Sequence, residues 1–128
     1  MSRARCPAAA LLLALALAGC RDRDPRIPLA THAVAGGRAE AGPAAMQSYG
    51  CVSCHTIPGV RGANSLVGPP LSGWAHRQYI AGRVPNEPDR LVEWILHPQA
   101  IQPGTAMPDM GVSGQDALDM AAYLYTLR

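Results

Sequence analysis

Residues Cys51-Val52-Ser53-Cys54-His55 read CVSCH. Two thiols three positions apart, with an imidazole directly after them, admit four chemistries: a disulfide, half of a zinc site, a redox pair, or covalent attachment of a haem. A zinc site needs two further ligands at comparable spacing, and the available candidates are His76 and His97, with no second cysteine pair. A thioredoxin-like pair follows a buried strand and opens a helix. The residues ahead of the motif, Met46-Gln47-Ser48-Tyr49-Gly50, are no such strand. C-x-x-C-H is the attachment signature of c-type haem. One helical turn puts both sulfurs on one side, where each can form a thioether with a former vinyl group of the porphyrin. The next residue, His55, then turns its imidazole to the iron.

The remaining cysteines fall outside this motif. Arg3 and Arg5 make a short positive region, and Ala8 to Ala18 is alanine and leucine only, too short to span a bilayer as a helix. The run ends in Leu17-Ala18-Gly19-Cys20. This resembles a bacterial lipoprotein signal, which implies a signal peptide over residues 1–19 and lipidation of Cys20 as the new N-terminus. Cys6 leaves with that signal, so Cys51 and Cys54 are the remaining thiols. Export places them in an oxidising compartment, where an unprotected pair would form a disulfide.

The chain has 128 residues, a net charge of +2, eleven arginines, no lysine and no phenylalanine. From Gly42 onward five arginines face six acidic residues, so no basic patch argues for nucleic acid. Residues 20–41, rich in charge, Pro, Gly and Ala, read as the lipidated cysteine and a flexible tether, in which His32 is a solvated bystander. Fully extended, that tether would reach roughly 70 Å.

Residues 42–128 read as one small all-α domain. A short helix from about Ala44 leads into Cys51, and Thr56 to Ser72 is loop, broken by glycines and prolines. A second helix is expected to start at Asp89 as N-cap and to stop at Pro98. Its apolar face would be Leu91, Val92, Trp94, Ile95 and Leu96. The last helix opens with a capping-box pattern, Ser113-Gly114-Gln115-Asp116, and repeats Ala117, Leu118, Ala121, Leu124 and Tyr125 at helical spacing. No stretch shows strand alternation. A domain of about 85 residues built from short helices and long loops buries little by itself. It wants something large and apolar in its middle.

A six-coordinate haem needs a second axial ligand. Methionines are usually core filler, and Met46 and Met120 read that way. Met107 differs, because Pro103-Gly104-Thr105-Ala106-Met107-Pro108 is a Gly/Pro-rich loop where filler is less expected. Met110 is the competitor. A thioether is soft and uncharged, so it favours Fe(II) and raises the potential.

With CVSCH, Gly68-Pro69-Pro70-Leu71, Leu91-Val92-Glu93-Trp94-Ile95 running to His97-Pro98, PGTAMP and Ala122-Tyr123-Leu124 in this order, the chain from about Gly42 to Arg128 resembles a class I c-type cytochrome. The resemblance implies the cytochrome c fold, with short helices and loops wrapped around one covalent haem c and with N- and C-terminal helices crossing. It further implies that the Pro69 carbonyl accepts from His55 Nδ1–H, that Thr105 binds a haem propionate, and that Tyr123 packs on the first helix. The chain departs from that family in three places. Gly42 and Met46 stand near a usual glycine and aromatic, with the register off by about one. Trp94 replaces a common tyrosine and can donate but not accept a hydrogen bond. Residues 74–86 match poorly; there Tyr79, Arg83 and Asn86 are the candidate propionate donors.

Three functions are compatible with these residues. The first is electron transfer, since iron with two protein ligands has no open position for substrate. The second is a haem-based gas sensor or peroxidase-like enzyme with a labile sixth ligand. The third is a structural lipoprotein whose CVSCH is accidental. The first is favoured: not an enzyme but a monohaem carrier on the periplasmic side of a bacterial membrane. Its expected partners are a quinol-oxidising complex, a haem–copper terminal oxidase or a periplasmic dehydrogenase. A near-neutral domain implies weak, largely apolar docking around the exposed haem edge.

Overall fold

The computed structural model describes residues 32–128. The expected signal peptide, Cys20 and most of the expected tether lie outside the described residues.

Helix α1, Gly42–Ser48, takes Pro43 into its first turn, where a proline's missing N–H costs nothing. Gly50 then adopts a left-handed φ of 74° and turns the chain into a 3₁₀ turn over Cys51–Ser53. That turn is closed by bonds from the N–H groups of Cys54 (3.2 Å) and His55 (3.0 Å) to the Cys51 carbonyl. Helix α2, Pro88–Leu96, has Glu87 as its N-cap, so Asp89 lies inside the first turn rather than capping it. Pro88 explains the shift: its fixed φ is already helical. Leu91, Trp94 and Ile95 are buried. Pro98 ends α2 and starts a single turn, α3, Pro98–Ile101, where only a loop was expected. Helix α4, Gly114–Leu124, is capped as its sequence predicts: Ser113 Oγ accepts from Asp116 N–H and donates to its carboxylate at 2.7 Å.

The all-α expectation needs one correction. Strands β1 (Tyr79–Ile80) and β2 (Val84–Pro85) pair antiparallel, with Ile80 opposite Val84. Two-residue strands are too short to show alternation in sequence. The turn between them uses positive φ at Ala81 (50°) and Gly82 (66°), the mirror-image geometry hairpins favour.

Helix α4 packs against both α1 and α2. Gly42 supplies the close approach: a Cβ there would stand 2.8 Å from the Asp119 carbonyl and collide with Tyr123. The shared core holds Met46, Ile57, Leu91, Met120 and Leu124, with Met46 and Met120 in the filler role expected of them. Among the described residues, no helix is long and apolar enough to cross a membrane.

The expected tether is docked over its last residues. A Cβ on Gly37 would sit 2.5 Å from the Leu118 carbonyl. Arg38 gives its backbone N–H and its guanidinium to Asp119, each at 2.8 Å. Gln115 donates to the Gly36 carbonyl at 2.9 Å. His32 is no bystander: its ring stacks on Tyr125 with centroids 4.5 Å apart. A run without apolar periodicity can still dock when its glycines allow close approach and one buried carboxylate receives it.

Candidate haem site

The 3₁₀ turn at the end of α1 presents Cys51, Cys54 and His55 to one cavity of about 560 Å³, within the size range of built ligand pockets, about 300–1,000 Å³. Both thiols are free and half-buried. Burial, with a smaller contribution from Cys54, pushes the Cys51 thiol above its ordinary range.

His55 is fixed from two sides. Its Nδ1 lies 2.7 Å from the Pro69 carbonyl oxygen. A carbonyl can only accept, so Nδ1 carries a hydrogen, and in the neutral ring the lone pair is then on Nε2. Gly68 lies against the ring: a Cβ there would fall 2.5 Å from Cε1 and 2.8 Å from Nδ1. Two short backbone bonds lash this loop to the motif, Gly68 N–H to the Cys54 carbonyl (2.7 Å) and Leu71 N–H to the Thr56 carbonyl (2.8 Å).

The same cavity receives Thr105, Met107 and Met110 from the loop before α4, and Trp94 and Leu91 from α2. Met107 is partly buried and packed on the core, whereas Met110 is 41% exposed. Seven residues singled out in the sequence therefore converge here: Cys51, Cys54, His55, Pro69, Trp94, Thr105 and Met107.

Tyr79, Arg83 and Asn86, the expected propionate donors, do not line the cavity. Tyr79 is 58% exposed on β1, and Arg83 is exposed at the hairpin turn. Asn86 is buried, but its amide is already used. Nδ2 donates to the carbonyls of Trp74 (3.1 Å) and Arg77 (3.0 Å), and Oδ1 accepts from Tyr125 Oη at 2.9 Å. It braces the 3₁₀ turn Trp74–His76 against the chain end.

Two residues that sequence reasoning missed sit on that turn. Trp74 is 5% exposed and lines the cavity, and its Nε1–H has no hydrogen-bond partner within the protein. Arg77 also lines the cavity, stacks its guanidinium 4.7 Å over the Trp74 ring and donates to the Pro70 carbonyl. Their signal in the sequence was faint: an arginine three places after a tryptophan in a region without helical period. His76 and His97 are exposed, and among the described residues no three His, Cys, Asp or Glu side chains cluster as a metal site would require.

Two thiols and an imidazole on one turn, apolar walls, a thioether on a second loop, and a buried donor beside a cation suit one kind of group. These residues fit haem c, whose apolar face needs the walls and whose carboxylates need donors. Comparison with known proteins agrees. Residues 39–128 match the Cytochrome c family, and the chain belongs to it. It is similar to cytochrome c oxidase subunit 2 of Alkalihalophilus pseudofirmus (strain ATCC BAA-2126 / JCM 17055 / OF4), 33% identical over 81 residues. That match covers 61% of this chain and 22% of the relative's length. The protein is thus a c-type cytochrome domain whose cofactor is covalently bound haem c, with Cys51 and Cys54 at the attachment motif.

Proposed function

We propose that this protein is a membrane-anchored carrier of single electrons, with His55 and Met107 as the axial ligands. The carrying observation is the convergence of CVSCH and Met107 on one cavity. Haem c supplies an iron that exchanges one electron between its ferrous and ferric states. The chain's own residues do the rest. The Pro69 carbonyl holds the imidazole in the tautomer that leaves Nε2 free and makes it a better donor. The apolar walls keep water away, which with thioether ligation favours the reduced state. Trp74 and Arg77 offer donors to the propionates. Membership of the cytochrome c family supports electron transfer.

Lipidation of Cys20 would confine the domain to the periplasmic side of a bacterial membrane. The linker would raise its effective concentration at its partners. A haem–copper terminal oxidase is the partner the oxidase-subunit relative supports. A quinol-oxidising complex or periplasmic dehydrogenase would then be the donor. Leu66, 79% exposed and next to the His55–Pro69 loop, supports apolar docking beside Val67 at the cavity.

Redox titration and carbon monoxide binding of the purified protein test this reading. A one-electron wave with slow carbon monoxide binding to the reduced form is expected. Rapid carbon monoxide binding, or turnover of peroxide, would replace it with the sensor or peroxidase-like alternative.

A further inference from the structure

We infer that Gln99 is a positioning residue for the axial methionine, its one carboxamide clamping the Gly104–Met107 loop at three points. This rests on the proposal that Met107 is the ligand. Nε2 of Gln99 donates to the carbonyls of Thr105 at 2.8 Å and Met107 at 2.9 Å, and Oε1 accepts from the Gly104 N–H at 3.0 Å. Both amide hydrogens and one face of the oxygen are therefore spent on a single loop.

The loop has little else to hold it. Gly104 has a left-handed φ of 78°. Thr105 N–H reaches the Gln102 carbonyl at 3.1 Å, and Met107 N–H meets Thr105 Oγ1 only at 3.4 Å. Gln99 itself is well founded. It follows Pro98, which is buried and starts the single turn α3. Thr105 and Met107 line the cavity while their carbonyls are held by Gln99. A neutral thioether binds weakly enough that its persistence depends on how firmly the main chain behind it is placed. Gln99 is exposed, so its replacement removes no core packing and separates positioning from stability.

The test uses the holoprotein with haem attached and compares Gln99→Ala, Gln99→Lys, Gln99→Glu and Met107→Ala. The readouts are the sulfur-to-iron charge-transfer band of the oxidised form, the carbon monoxide association rate of the reduced form, and Tm. Gln99→Ala is expected to weaken the band and speed carbon monoxide binding on the order of tenfold, as loss of two or three modest hydrogen bonds allows, with Tm close to the parent's. Gln99→Lys keeps donors for the two carbonyls and should recover part of the slow binding. Gln99→Glu turns acceptors toward those carbonyls and should bind at least as fast as Gln99→Ala. A parent-like band and rate in Gln99→Ala, with or without a lower Tm, would overturn the inference if Met107→Ala loses the band. A band that survives Met107→Ala would instead remove the ligand assignment, and the positioning role with it.

Discussion

His55 Nδ1 and the carbonyl oxygen of Pro69 stand 2.7 Å apart, in a loop where Gly68 leaves no room for a side chain against the same ring. The bond selects the tautomer and the glycine selects the ring's place. Gly68→Ala should force either the ring or the loop to shift. The expected result is a loss of about 1–3 kcal/mol in stability, as for overpacking elsewhere, with less attached haem. Absorbance per polypeptide and chemical denaturation measure both.

Trp74 offers the sharpest check on how the cavity treats its cofactor. A buried N–H without a partner costs about 1–3 kcal/mol, so replacing an idle indole by phenyl would raise stability. If Nε1–H instead serves a propionate, Trp74→Phe should lower the potential, because a carboxylate stripped of a donor favours the ferric state. Paired redox titration and melting of the holoprotein separate the two outcomes; the second is expected.

Asn86 is a brace, and its loss should show as such. Asn86→Ala leaves Tyr125 Oη and the Arg77 carbonyl without their partner, and the Trp74 carbonyl with only the Arg77 N–H. Burial already holds the Tyr125 hydroxyl strongly to its protonated form, so it cannot escape by ionising. Destabilisation of about 1–3 kcal/mol is expected, with the potential nearly unchanged because Asn86 does not line the cavity. A large potential shift at intact stability would restore it to the cofactor.

Asp119 is 1% exposed and its Arg38 partner 61%. Hydrogen bonding to the Arg38 guanidinium holds the carboxyl down to about 2, from an ordinary 3.8, against the opposing pull of burial. A folded-state value below the unfolded one stabilises the fold above the unfolded value. That stability is lost as pH falls through the folded one. Tm should therefore drop between about pH 4 and pH 2. Asp119→Asn should melt lower at neutral pH and show a flatter acid limb. Equal acid limbs in parent and variant would contradict the latch.

Apolar docking predicts that electron-transfer rates fall only modestly with ionic strength, since exposed charges are screened within about 10 Å at 0.1 M salt. Leu66→Ser or Val67→Ser should slow transfer more than raising the salt does. Stopped-flow kinetics with a purified oxidase would show it, and a steep salt dependence would count against the apolar face.

CVSCH, the capped start of α4 and the apolar face of α2 were legible because each is local: bonding geometry and helical period act over a few residues. Met107 was legible as a candidate ligand in the same way, marked by the loop around it. The propionate side was less legible for the opposite reason. Tyr79, Arg83 and Asn86 have the right chemistry, but a two-residue hairpin turns the first two to solvent and Asn86 spends its amide on Trp74, Arg77 and Tyr125. Donor type is written in the sequence; whether the donor is free is not.

The covalent cofactor, the histidine of its attachment motif and the candidate ligand loop were thus readable from the chain alone. Contacts between distant residues, which carry no period to read, were left to the tertiary structure. These are Arg38 with Asp119, Gly42 under Tyr123, Gly68 under the ring of His55, and Asn86 with Tyr125. Each is decided by burial, because only packing settles which polar groups lose water and must find one another.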